Sequence, residues 1–418
     1  MFEACEFVVG DVEHIAWAKR CERRVMARPA SGRSIKSFSG ILVHPMLDTN
    51  LSPAESTALE SIEIPAAWEA STLREDKSWI IQLTDPHRAE LMAALDHFKE
   101  TMHARGLTAQ WLHGNMTPQP ADFPLPTLAR LLGHVRTALE VKYGLVLLKG
   151  FPVSHVSHKD LHLLHAGMAS HVGTLRPQTV FGELVQDLSD SGQAALEQRR
   201  GSKHNRALPF HNDPCDVVSF SCIEPALTGG TSLFCSSVAI HNAMLRSVPV
   251  LAETLYHDFV HAYQDYLFVK TGSNQRFLPS ERYYFMPIFT IEQGSFACKY
   301  SRFYIDQAQK FPELPRLTRQ QVAALEAFEN ELRNERWQLR MPYEPGDVTF
   351  INNFVCFHAR TAFTDDATNE HRRRHLLRIW LSMPNSRPLS SKWRHLFFQR
   401  TEAGAIRGGV PVPEISYA

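Results

Sequence analysis

The chain has 418 residues, more than one average domain, and its 44% hydrophobic content is enough for a packed core. Lys+Arg and Asp+Glu balance at 44 each, so no overall field directs it to nucleic acid or to an anionic membrane. No run of about 18 apolar residues offers a membrane span, and the start, with Glu3 and Glu6, lacks the apolar stretch of a secretory signal. The seven cysteines are odd in number and include no C-x-x-C pair, which reads as reduced thiols in a cytoplasmic protein.

In chain order, residues 1–110 read as an N-terminal extension, partly helical, packed on a core formed by residues 111–418. Residues 1–75 look like an irregular arm with short strand-like pieces such as Ile41-Leu42-Val43, and Lys19 to Lys36 like an exposed basic segment. Asp85 as N-cap and Pro86 at the first helical position open a helix over 86–104, with Leu91, Leu95 and Phe98 at helical spacing. Prolines 118, 120, 124 and 126 mark a connector, followed by a helix from Leu128 to Val141 and a strand at 144–149. Ser157 caps a third helix over 158–171, and Asp160 complements its positive end. The histidines of that helix, His162, His165 and His171, read as facing core or solvent. The polar stretch 183–206 is expected to close over a site as a lid.

The first chemistry lies in Leu208-Pro209-Phe210-His211-Asn212-Asp213. Side chains two apart on a strand share a face, so His211 and Asp213 can reach one ion. With 21 His in the chain an H-x-D is expected by chance, and His158-Lys159-Asp160 is a second, structural one at a helix start. His211 instead leads into the β-rich run Val217 to Ile223 and a turn at Thr228-Gly229-Gly230. Strands are expected over 282–289 and 296–305, then a helix over 318–339 with Leu325, Phe328 and Leu332 at its spacing. Pro345-Gly346-Asp347 is a turn, Val348 to Ile351 a strand, and Phe354 to Phe357 delivers His358. Beyond a polar loop, Arg374 and Arg378 lie four apart on one face of a run ending at Leu381, where a buried arginine needs an anion.

Two histidines and a carboxylate are the set that holds Fe(II) on one face and leaves the opposite positions free. The same ligands suit a zinc hydrolase, which gives Arg374 no role, and a non-catalytic jelly-roll binder stays open. Cys215, Cys222 and Cys356 read as small core residues. Many strands, a Gly-Gly turn and ligands far apart in sequence fit a mostly β fold with flanking helices (α+β). Its core would be a double-stranded β-helix, or jelly roll.

These segments resemble the taurine dioxygenase-like (TauD/TfdA-like) family of Fe(II)/2-oxoglutarate-dependent oxygenases. The resemblance rests on Leu208 to Asp213, Pro225 to Ser232, Asn352 to Phe363 and Arg374-His375-Leu376-Leu377-Arg378. Tyr143 to Phe151 matches an early strand of that family, so the likeness covers roughly residues 125 to 390. It implies that His211, Asp213 and His358 are metal ligands. Arg374 would grip the distal carboxylate of 2-oxoglutarate, supported by the Ser232 hydroxyl, and Arg378 would hold either that molecule or an anionic substrate group. The implied reaction couples decarboxylation of 2-oxoglutarate by O2 to hydroxylation, desaturation or ring closure at an unactivated C–H bond, releasing succinate and CO2. Asp213 argues against halogenation, for which relatives carry a small residue there. The first hundred or so residues resemble the extension of a longer, fungal group of members. The expected partner is a small molecule with a carboxylate or sulfonate, held by Arg378, Lys270 or Arg302 beside an apolar wall of Tyr283, Tyr304 and Trp380. A larger secondary-metabolite scaffold or a protein side chain is the alternative substrate. Neither nucleic acid nor membrane is expected as a partner, and a homo-oligomer stays open.

Overall fold

Two β-sheets share one apolar core, and helices cover their outer faces. In this computed structural model, residues 59–107, 118–190, 204–263, 282–366, 368 and 373–412 are described, and all fall in one compact unit. The expectations for Ile41-Leu42-Val43, Lys19 to Lys36 and Lys270 lie outside the described residues.

The larger sheet runs Ile80–Gln82, Leu145–Lys149, Val348–Asn352, Val217–Glu224, His375–Ser382 and Thr174–Arg176, with Val185–Leu188 also paired to His375–Ser382. The smaller sheet runs Leu339–Met341, Ser232–Ser236, Cys356–Arg360 and Leu208–His211. Strand periodicity explains how each residue is used. Leu376 and Trp380 join Val218, Phe220, Ile351, Phe234 and Cys356 in the core between the sheets. Their alternates Leu377, Ile379 and Leu381 face the other way, among Leu95, Phe98, Leu132 and Leu164 of three helices, Asp85–Ala104, Leu128–Val141 and His158–Ser170. Behind the smaller sheet, Cys235 and Phe357 pack with residues of Ser237–Ser247 and Arg319–Arg333. Each such Leu or Phe contributes about 1.5–3 kcal/mol by leaving water. Residues 59–107 add the parallel edge strand Ile80–Gln82 and the helix Asp85–Ala104 to this unit.

Several expectations shift. The first long helix begins at Asp85 with Thr84 as its N-cap, because Thr84 and His87 form a reciprocal capping pair. The later helix spans Arg319–Arg333 under a Thr318–Gln321 capping box, and Leu339 belongs to a strand. The strand expected over 296–305 ends at Cys298, and Arg302–Ala308 is helical, supported by the Arg302–Asp306 pair at 2.7 Å one turn apart. Of the expected lid, Val185–Leu188 is a strand of the larger sheet, and residues 191–203 lie outside the described residues. Cys215, Cys222, Cys235, Cys298 and Cys356 are buried free thiols. Among the described residues no helix is long and apolar enough to cross a membrane.

Candidate iron and 2-oxoglutarate site

His211 ends the strand Leu208–His211 and pairs directly with His358 of Cys356–Arg360, their ring centroids 4.4 Å apart. Asn212 turns away from the cavity between the sheets. Its Oδ1 accepts the Tyr300 N–H at 2.9 Å and its Nδ2 donates to the Cys356 carbonyl at 3.2 Å. That anchoring fixes the alternation that sends His211 and Asp213 to the same side. The donor atoms of His211, Asp213 and His358 all lie within 4.8 Å of one another. Nε2 of His358 is 3.8 Å from Oδ2 of Asp213. His211 donates from Nδ1 to the Pro209 carbonyl at 2.9 Å, which leaves Nε2 for the cluster.

The protonation states suit a divalent ion. Burial pushes His211 down and His358 well down, so both imidazoles are neutral, the form that ligates. Burial raises the Asp213 carboxyl, but the Arg378 guanidinium and the Trp380 indole N–H beside it outweigh burial and hold it below the usual carboxylate range. The Trp380 Nε1–H donates to Oδ2 of Asp213 at 2.9 Å. Two neutral imidazoles and one ionised carboxylate are a donor set for Fe(II). Nδ1 of His358 is buried without a partner among the described residues.

A cavity opens on His211 and His358, and Ser232, Arg360, Arg374 and Arg378 line it beside Phe220, Phe234 and Leu376. Arg374 is 4% exposed, and its Nη1 is buried with no hydrogen-bond acceptor among the described residues. Its side chain runs past Gly230, where an added Cβ would lie 3.3 Å from its Nε. Gly229 has φ +72°, and a Cβ there would collide with the Ala362 carbonyl, so the Gly-Gly turn demands both residues. Ser232 faces the cavity as the cross-strand partner of Arg360.

Arg378 departs from the expectation of an anion holder. Its Nε donates to Gln178 Oε1 at 2.7 Å, its Nη2 to Gln186 Oε1 at 2.9 Å, and its Nη1 lies 3.4 Å from each Asp213 oxygen. Its fork is taken up in holding the carboxylate ligand. Arg302 pairs with Asp306 and Glu329, and Tyr283 packs on Phe311, so neither reaches this cavity, which Tyr304 does not line either. Trp380 does face the site, as a hydrogen-bond donor to Asp213. Residue-type reasoning missed Gln178, Gln186 and Arg360. Arg360 was findable, since it shares the strand alternation of His358.

The second H-x-D divides. Asp160 serves its helix start, its N–H on Ser157 Oγ and its carboxylate 3.1 Å from Lys99. His165 is core and His171 donates to the Phe123 carbonyl at 2.7 Å, while the partly exposed His158 and His162 both turn toward Asp187.

Residues 104–380 match the taurine catabolism dioxygenase TauD, TfdA family. The chain belongs to that family. Membership makes this TauD/TfdA chain an iron- and 2-oxoglutarate-dependent dioxygenase. It is 26% identical over 331 residues to FR-33289 synthase of Streptomyces rubellomurinus, covering 77% of this chain and 90% of that protein. It is also 26% identical over 327 residues to a taurine hydroxylase-like protein of Stachybotrys chartarum, covering 75% and 77%. Among solved structures it shares the fold of an asparagine oxygenase in complex with Fe(II), 2S,3S-3-hydroxyasparagine and succinate. That match has a TM-score of 0.53 at 18% identity, over 73% of this chain and 93% of that one. A mutant of the non-haem iron oxygenase OrfP, in complex with (3S)-hydroxy-L-Arg, aligns with TM-score 0.52 at 14% identity, over 78% and 98%. The jelly-roll architecture read from the sequence is therefore that of known TauD-fold oxygenases.

Proposed function

We propose that this dioxygenase oxidises an unactivated C–H bond of a small anionic molecule, holding Fe(II) on His211, Asp213 and His358 and the distal carboxylate of 2-oxoglutarate on Arg374. The observation that carries the reading is the buried Nη1 of Arg374, without a hydrogen-bond acceptor among the described residues, on the cavity that His211 and His358 also line. A buried guanidinium nitrogen without an acceptor is costly, so it fits a site whose anion arrives with the ligand. Bound iron would supply the redox chemistry by which O2 and 2-oxoglutarate give succinate, CO2 and the oxidised product.

The chain's residues do the rest. His211 and His358 stay neutral, and Asp213 stays ionised under Arg378 and Trp380. Arg374 and the Ser232 hydroxyl orient the far end of 2-oxoglutarate, and the apolar walls from Phe220, Phe234 and Leu376 exclude water. Three guanidinium groups line the cavity and no carboxylate lines it among the described residues. With Arg378 turned to Asp213, the remaining field favours an anionic co-substrate. The solved relatives are named with hydroxylated asparagine and arginine, and amino acids carry the carboxylate this reading requires.

Adding Fe(II) and 2-oxoglutarate without O2 should produce a visible metal-to-ligand charge-transfer band, and its absence in folded, metal-loaded protein overturns the cofactor assignment. Among amino acids, carboxylates and sulfonates, at least one anion should stimulate succinate release while its methyl ester or amide does not. Equal stimulation by the neutral derivatives overturns the anionic substrate.

A further inference from the structure

Away from the cavity, three histidines converge on one carboxylate oxygen. Nε2 of His158, His162 and His375 lie 2.8, 3.1 and 2.7 Å from Oδ1 of Asp187. His158 and His162 are one turn apart on the helix His158–Ser170, Asp187 is on the strand Val185–Leu188, and His375 opens the strand His375–Ser382. The rings of His158 and His375 stack at 5.0 Å and 27°, and those of His158 and His162 sit 4.6 Å apart. Donor atoms of His158, Asp187 and His375 all lie within 4.8 Å of one another. All four side chains reach solvent, with exposures of 53, 28, 22 and 36% for His158, His162, His375 and Asp187.

This exceeds what a structural ion pair needs. One imidazolium satisfies one carboxylate oxygen, and three crowded imidazolium rings repel one another. Two neutral imidazoles and a carboxylate, by contrast, are three of the four donors of a tetrahedral zinc site. One ligand from a helix and one from each of two paired strands also match the way metal sites cross-link elements.

We propose that His158, Asp187 and His375, with His162 hydrogen-bonded to Asp187 beside them, form a second metal site, separate from the His211–Asp213–His358 cluster, and that it takes Zn2+. The ion is a clamp with no part in the chemistry. It ties the helix His158–Ser170 to the strand pair Val185–Leu188 and His375–Ser382. Those strands also carry Gln186, which holds Arg378 at 2.9 Å, and His375 directly follows Arg374. The clamp therefore fixes the strand that carries Arg378 and that Arg374 immediately precedes.

The test uses the untagged full chain and Zn2+ itself, counted by elemental analysis after desalting. Wild type should retain two equivalents, a His158→Gln/His375→Gln variant one, and a His211→Ala/His358→Ala variant one. Zinc should also raise the melting temperature of the His211→Ala/His358→Ala variant. Two equivalents retained by the His158→Gln/His375→Gln protein, or none by the His211→Ala/His358→Ala protein, overturns the site. Anomalous scattering at the zinc edge from wild-type crystals soaked in ZnCl2 decides without any variant. A peak between Nε2 of His158 and Nε2 of His375 supports the site, and its absence there overturns it.

Discussion

Replacing Arg374 with Met should make the ligand-free protein more stable while disabling it for 2-oxoglutarate. The side chain is 4% exposed, and burial depresses its pKa because its charge has left water. Its Nη1 has no acceptor among the described residues, and the Phe363 ring, 5.2 Å from its guanidinium carbon, compensates only in part. Methionine fills similar length without the charge, so stability in urea should rise by about 1–3 kcal/mol, as when other buried charges give way to apolar residues. Binding moves the opposite way. Losing one partner of a buried, hydrogen-bonded charge pair costs about 2–5 kcal/mol. At about 1.4 kcal/mol per tenfold, the Kd for 2-oxoglutarate should rise roughly 30-fold to 4,000-fold. Iron affinity should stay within about threefold, because Pro209 holds His211, and Arg378 and Trp380 hold Asp213, without Arg374. Anaerobic titration of the charge-transfer band gives the first affinity, and competition with a chromophoric chelator gives the second. Parallel loss of iron and 2-oxoglutarate affinity, or a ligand-free variant weakened by more than about 1 kcal/mol, would refute the reasoning.

Trp380→Phe removes the indole N–H that donates to Asp213 at 2.9 Å. Loss of such a supporting hydrogen bond should weaken iron binding about 10-fold to 100-fold in the same chelator competition, and a change under about threefold would show that Arg378 alone holds the ligand. Acid should destabilise the fold through His165 and His261, both fully buried and both lowered by burial from 6.5 to about 3. His165 bridges Ser219 at 2.9 Å and Ser221 at 3.1 Å as a neutral ring. Their folded pKa values lie below the unfolded value, so the unfolded chain binds more protons between about 6.5 and 3. Stability is then complete above about 6.5 and falls as pH drops through that window. At about pH 5 each histidine should cost about 2 kcal/mol relative to neutral pH, read from urea melts of the ligand-free protein. His165→Gln should shallow that dependence, and equal stability at about pH 7 and about pH 5 would contradict it.

Much of the site was legible because a strand obeys a period of two. Arg374, Leu376, Arg378 and Trp380 alternate with His375, Leu377, Ile379 and Leu381, and only the first set faces the core between the sheets. The same rule puts Cys356, His358 and Arg360 on one face. Metal chemistry narrows the residue types further, so His211, Asp213 and His358 stand out before any fold is known. Supporting residues carry no such restriction. Val185-Gln186-Asp187-Leu188 is short and half polar and reads as loop, yet pairing with Leu376 to Ile379 makes it a strand. That pairing alone brings Asp187 to His375 and Gln186 to Arg378.

The two arginines show where local reasoning ends. They share a strand, a face and a cavity, and sequence pattern treats them alike. Arg378 meets Gln178 and Gln186, which stand 200 and 192 positions away, and with Asp213 they occupy every nitrogen of its fork. Nη1 of Arg374 meets no acceptor among the described residues. A guanidinium's position on a strand follows from periodicity, but whether it keeps a donor for a ligand depends on partners supplied across the fold. Periodicity therefore locates the anion site within one strand face, and the distant glutamines decide which of its two arginines stays available to serve it.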